Sequence, residues 1–202
     1  MSLEPLFDLC AYRRCFGCHR PPTWLCEGCR AVLAPPRSGE PIPGIDRVYC
    51  PWRYEGAARD LVLALKLRQQ RPAAEPLADA LAATVQLAGG AAVVVTWVPA
   101  RRADRRRRGF DHAELIGRHV AAALGLPAAA LLERASVRPD QAALGRTERW
   151  NNLAGAFRSR PCSGVVLLVD DLVTTGATAA ACARALRVGG ATQVELAAPC
   201  RA

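Results

Sequence analysis

Apolar positions along the chain fall into two patterns, short uninterrupted runs and longer stretches at helical spacing. Val93–Val98 (VVVTWV) and Val165–Val169 (VVLLV) are bounded by glycine or proline and predict strands covered on both faces. Gln193–Ala198 predicts a final strand, and Leu131–Ser136 a further short one. Between them, Tyr54–Leu67, Ala74–Leu87, Asp111–Leu124 and Ala177–Val188 carry leucine, alanine and valine at helical intervals. Gly89-Gly90, Gly125 and Gly189-Gly190 stand where three of these helices should stop. Arg101–Gly109 predicts a basic loop; Arg138–Phe157 reads as polar and irregular, with one helical turn near Thr147–Asn151. Strand alternating with helix predicts an α/β fold, a parallel sheet flanked by helices.

Organisation follows from a break in this pattern. Residues 1–33 are cysteine-rich, and residues 34–45 (APPRSGEPIPGI) hold too much proline and glycine for a helix or a central strand. The expected division is a small module at 1–33, a linker at 34–45, and the α/β domain at 46–202.

Composition adds a bias toward anions. The net charge is +9, and Lys66 is the single lysine among the basic residues. Such an excess suits phosphate-bearing partners, whether nucleotides, pyrophosphate or nucleic acid; arginine enrichment from a GC-rich genome would look the same. No secretory signal and no run of about eighteen apolar residues is evident, so the expected location is cytoplasmic. There the nine cysteines would stay reduced, and their odd number speaks against a full disulfide framework.

The sharpest chemistry lies at Val165–Thr178 (VVLLVDDLVTTGAT). A buried parallel strand delivers its last residues to the carboxyl edge of the sheet, where open α/β folds bind ligands. Asp170 and Asp171 could there accept hydrogen bonds from the vicinal hydroxyls of a ribose and help hold Mg²⁺ through water. Behind them, Thr174, Thr175, Gly176, Ala177 and Thr178 form a tight turn into a helix, whose free amides and hydroxyls can cradle a phosphate. Together they describe a ribose-5-phosphate site. A Walker B strand ends similarly, but no G-x-x-x-x-G-K-[ST] loop accompanies it.

Cys15-x-x-Cys18 and Cys26-x-x-Cys29 form two knuckles of the kind that complete a tetrahedral Zn²⁺ site. So small a module cannot build an adequate core, so metal would supply its folding free energy. His19 lies within the module as an alternative ligand, and Cys10 stands apart.

The acidic turn resembles the phosphoribosyl-pyrophosphate (PRPP) signature of type I phosphoribosyltransferases. The whole chain resembles the ComF/GntX-like competence protein family in its cysteine pairs and in Tyr54-x-Gly56-x-x-Arg59-Asp60-Leu61-Val62 running to Lys66. The likeness continues in Pro99-x-Arg101-Arg102, Arg108-Gly109-Phe110, Gln141-x-x-Leu144, Arg149-x-x-Asn152 and Gly155-x-Phe157. It implies a type I phosphoribosyltransferase-like domain with an N-terminal zinc ribbon. It also implies catalytic roles for Asp170, Asp171, Arg101, Arg102 and Lys66, the basic residues facing the leaving pyrophosphate. Residues 138–149 would be a loop closing over the site. One departure stands out: Asp111-His112 replaces the family's Asn-Gln.

Two functions stay open on this reading. In one, PRPP–Mg²⁺ donates its phosphoribosyl group to an unidentified nitrogen acceptor. In the other, a non-catalytic accessory protein of DNA uptake binds PRPP or nucleotide ends, single-stranded DNA and a partner such as a helicase.

Overall fold

A computed structural model describes residues 13–37, 39–135 and 155–202. The expected α/β fold is present. A four-stranded parallel sheet has the order β1-β7-β6-β3, from β1 (Arg47–Tyr49), β3 (Val94–Trp97), β6 (Val165–Val169) and β7 (Gln193–Ala197). Two outlying pairs complete the strands: β2 (Trp52–Arg53) runs parallel to β8 (Cys200–Arg201), and β4 (Leu132–Arg134) antiparallel to β5 (Phe157–Ser159). Among the described residues the α-helices are α1 (Glu27–Ala31), α2 (Gly56–Lys66), α3 (Ala74–Leu87), α4 (Arg102–Arg108), α5 (His112–Leu124) and α6 (Ala177–Val188).

β6 organises the core because successive residues face opposite layers. Leu167 and Val169 pack with α2, α3 and α5 on one face; Val166 and Leu168 pack with α6 on the other. All four are fully buried, as expected for a strand that is apolar at every position. Alanine-rich faces let α3 pack closely against α5, and α6 against β6 and β7. Among the described residues, both core layers contain far more Ala, Leu and Val than aromatic side chains.

Helices α3 and α6 span the residues that their periodicity predicts, and α5 begins one residue later because Asp111 is its N-cap. The stretch Arg101–Gly109, expected as a loop, is instead largely the short helix α4. Arginine is a good helix former, Asp104 sits in the first turn, and Gly109 ends the helix at φ +75°. Strands β1, β2 and β8 escaped prediction, being two or three residues long and held by neighbours remote in sequence. The expected lid at 138–149, the helical turn at Thr147–Asn151, and Cys10 lie outside the described residues.

The described residues of 34–45 contain no helix or strand, yet Ile42 is buried beneath Gly176. Truncating Leu168, which α6 covers, should lower stability by about 2–5 kcal/mol. Urea unfolding of Leu168→Ala checks this; a loss below half a kcal/mol would contradict the packing described.

Candidate functional site

The four parallel strands end on one edge, and the segments leaving β3 and β6 meet there. Asp170 and Asp171 follow Val169 directly, and the amide of Asp170 donates to the Ala197 carbonyl at 3.0 Å, keeping it in register with β7. Asp171 sits between two basic side chains. Lys66 Nζ lies 2.8 Å from its Oδ1, and His112 Nδ1 lies 3.6 Å from its Oδ2. The second distance is too long for a hydrogen bond. Lys66 reaches the site as the last residue of α2, and His112 as the first of α5.

Asp111 holds this arrangement in place. Its Oδ1 accepts from the amides of Ala113 and Glu114, capping α5, while its Oδ2 accepts from the Ala100 amide at 2.7 Å. One buried carboxylate thus ties the loop after β3 to the start of the helix that carries His112. His112 is 3% exposed, meets Phe110 edge-on at 5.1 Å between ring centroids, and its Nε2 has no hydrogen-bond partner among the described residues.

The two acids differ electrostatically. Burial and the neighbouring Asp171 carboxylate push Asp170 up to about 8. Burial raises Asp171 too, but His112 and Lys66 outweigh it and hold that carboxyl below the ordinary range. A negative pair in which one member resists ionisation is suited to gaining hydroxyl donors or a cation from a ligand.

Beyond the acids, the chain turns into α6. Val173 is pinned to the C-terminal strand, its amide donating to Cys200 O and its carbonyl accepting from the Ala202 amide, both at 3.0 Å. Gly176 adopts φ +75°, and a Cβ there would stand 2.8 Å from Ile42, so glycine is required twice over. The first helix amide bonded to a carbonyl of this turn is that of Ala180, to Gly176. Those of residues 177–179 lack an intrahelical carbonyl, as at any helix start. Thr175 Oγ1 accepts from Ala177 N at 3.4 Å. Asp170 and residues 172–179 line a cradle of ≈ 40 Å³.

A cleft of ≈ 310 Å³ adjoins the cradle and is lined by Lys66, Arg101, His112, Arg134, Asp170, Asp171 and Thr178, among others. Of the sequence-predicted residues, the structure therefore brings Lys66, Arg101, Asp170, Asp171 and Thr178 to one cleft, and places Thr174, Thr175, Gly176 and Ala177 on the cradle beside it. Arg102 is not among them; it lines a neighbouring cavity of ≈ 810 Å³ with Arg101, Arg105, Arg134 and Arg158. Sequence reasoning missed Arg134, whose Nε donates to the Pro99 carbonyl at 2.8 Å. Burial, then the charge of Arg101, holds its guanidinium below the usual value. Only its place in a short apolar segment could have hinted at a buried role.

Away from this edge, the sulfurs of Cys15, Cys18, Cys26 and Cys29 lie within 4.8 Å of one another. Cys18 and Cys26 sulfurs are 3.7 Å apart, near the roughly 3.8 Å edge of a tetrahedron with Zn–S bonds of about 2.3 Å. The Cys26 amide donates to Cys15 Sγ at 3.4 Å, and a Cβ on Gly17 would come within 2.8 Å of Cys29 Sγ. Burial raises the Cys15 thiol, but the amides of Cys26, Cys18 and Gly17 bring it down to about 6. Cys29, sharing hydrogen bonds with Cys15, is pushed up to about 12. Four thiols so close cannot all ionise without a cation, and these four could bind zinc. His19 is not in the cluster.

The fold and site together define an α/β protein with an acidic pair and an open helix start at the carboxyl edge of its sheet, and a separate tetracysteine cluster. The chain matches no family model and no curated protein. Among solved structures it is similar to the allosteric regulatory enzyme of purine biosynthesis, at 20% identity and TM-score 0.39, over 62% of this chain and 26% of that one. It therefore spans about a quarter of that protein's length. It is also similar to adenine phosphoribosyltransferase from Leishmania tarentolae, at 14% identity and TM-score 0.37, over 68% of this chain and 74% of that one.

Two measurements check the site's electrostatics. A carboxyl raised on folding stabilises below its unfolded value near 3.9 and loses that contribution as pH climbs through the folded value. Ligand-free stability should therefore fall between about pH 4 and 8 on account of Asp170, and Asp170→Asn should flatten that fall in thermal melts. An unchanged slope would contradict the assignment. For the cysteines, elemental analysis of gently purified protein should find about one zinc per chain, and a chelator should lower the melting temperature; protein free of zinc would exclude the cluster as a metal site.

Proposed function

We propose that this chain is a phosphoribosyltransferase-like protein that binds PRPP with Mg²⁺ at the carboxyl edge of its sheet. The observation that carries the reading is a juxtaposition. The acidic cleft and the helix-start cradle share Asp170 and Thr178, so one ligand can put hydroxyls on the acids and a phosphate on the amides. A ribose 5-phosphate moiety has that spacing of groups. Asp170 and Asp171 would take the ribose hydroxyls, and Thr174, Thr175, Gly176, Ala177 and Thr178 the 5-phosphate. Lys66 and Arg101 face the same cleft and would neutralise a pyrophosphate, with Arg134 beside them.

Mg²⁺ suits a partly buried carboxylate pair, and when bound it would offset charge on the pyrophosphate. In a transfer reaction the bond from the anomeric carbon to the pyrophosphate oxygen breaks, a nitrogen of the acceptor bonds to that carbon, and the pyrophosphate keeps the electron pair. The fixed cations of the cleft would stabilise that leaving group without reorganising. The acceptor is unassigned.

Resemblance to the ComF family supports the same ligand and adds a second reading, an accessory role in DNA uptake without turnover. What favours it is the ≈ 810 Å³ cavity in which Arg101, Arg102, Arg105, Arg134 and Arg158 outnumber Asp111, Glu114 and Glu133, an excess of guanidiniums suited to phosphates. Under that reading, single-stranded DNA binding should weaken steeply with salt while PRPP releases no pyrophosphate. Under the first, pyrophosphate appears once the right amine or base is supplied. Both require sugar-phosphate binding. Asp170→Asn combined with Asp171→Asn should abolish the rise in melting temperature that PRPP–Mg²⁺ produces; a rise equal to that of the unmodified protein would refute the site.

A further inference from the structure

The threonine turn has a second side. Opposite the acidic cleft it borders a cavity of ≈ 690 Å³, walled by Arg37, Arg53, Arg201 and Tyr54 and floored by Thr174 and Thr175. The cradle shares Asp170 and Thr178 with the cleft, and Thr174 and Thr175 with this cavity. It therefore lies between them. A ligand with its pentose in the cleft and its 5-phosphate in the cradle would point the far side of that phosphate at the arginines.

The cavity is a constructed part of the fold rather than a gap between loops. Arg201 Nη2 donates to the Glu40 carbonyl at 2.9 Å, and Gly39 lies so close to that guanidinium that any side chain there would collide with it. The Arg53 amide donates to Ala34 O at 2.9 Å. Ala34 and Glu40 are thus bound to the C-terminal strand pair, and Arg37 lies exposed on the rim. Arg53 Nη1 lies 3.3 Å from Glu55, while its buried Nε has no acceptor among the described residues. Three guanidiniums share the lining with the side chains of Glu40 and Glu55 and with Ala202, and Glu55 is already paired with Arg53. Such a lining favours a group with both phosphate and hydroxyl or amino functions, and the half-buried Tyr54 ring offers a face to a base.

We propose that this cavity is a nucleotide subsite, so that the cradle accepts a pentose 5-phosphate whose phosphate is itself linked, through a pyrophosphate bridge, to a nucleoside. The inference rests on the sugar-phosphate reading of the cradle and extends it from terminal phosphates to nucleoside-diphosphate-linked pentoses. A terminal 5-phosphate, as in PRPP, would leave the cavity open to solvent.

Calorimetric titration of the full chain with Mg²⁺ and, separately, ribose 5-phosphate, PRPP and ADP-ribose tests it. ADP-ribose should bind about tenfold or more tightly than ribose 5-phosphate, the gain expected from one added charge-assisted contact. Arg37→Glu and Arg53→Ala should each remove most of that gain while weakening PRPP binding several-fold less than ADP-ribose binding. Arg37 sits on the exposed rim, so its variant keeps the test valid should Arg53→Ala disturb folding. If PRPP and ribose 5-phosphate bind but ADP-ribose binds no tighter than ribose 5-phosphate, the subsite is refuted and the cradle reading stands. A gain that survives both substitutions also refutes it. If none of the three ligands binds, both readings fall.

Discussion

Two carboxylates side by side at the end of a fully buried strand repel each other, and the rest of the edge is arranged around that repulsion. β6 has no freedom to move, because all four of its interior residues are sealed between helix layers. Asp170 and Asp171 are therefore held where the strand leaves them. Lys66 and His112 lie beside Asp171, while burial and the Asp171 carboxylate outweigh the more distant Lys66 at Asp170 and leave it to resist ionisation. The site is poised for a ligand that brings donors or a cation, and electrostatic preorganisation of this kind requires no rearrangement when the ligand arrives.

Holding the counter-charges in place takes structure from far along the chain. Asp111 spends both its oxygens on backbone amides, fixing the start of α5 and the turn after β3 together. Asp111-His112 puts an ionisable pair at the head of α5, and His112 comes to rest against Asp171. On the other side of the acids, Ile42 from the proline-rich stretch fills the space under Gly176. That stretch supports the cradle as well as joining two parts of the chain.

The cysteine cluster obeys a different constraint. Its buried side chains, Cys15 and Leu25, belong to the same core layer as α2 and α3, so the module adds little core of its own. A zinc ion held by the four sulfurs would be a compact substitute for apolar burial in so short a segment.

Much of this was legible in the residues, for reasons specific to each element. VVLLV could only be a strand covered on both faces, and the acids and glycine turn behind it could only fall at its carboxyl end. Local periodicity and caps likewise determined α3, α5 and α6. The two cysteine pairs carried their own spacing. Tertiary structure alone decided the partners: that Lys66 would pair with Asp171 across more than a hundred residues, that Arg101 and not Arg102 would reach the cleft, and that Arg134 would join it. It also decided that the arginine run would coil into α4, and that two-residue strands would pin Val173 and frame a second cavity. Local sequence specifies backbone geometry over a few residues, whereas the direction of a charged side chain depends on which distant surface comes to lie beside it.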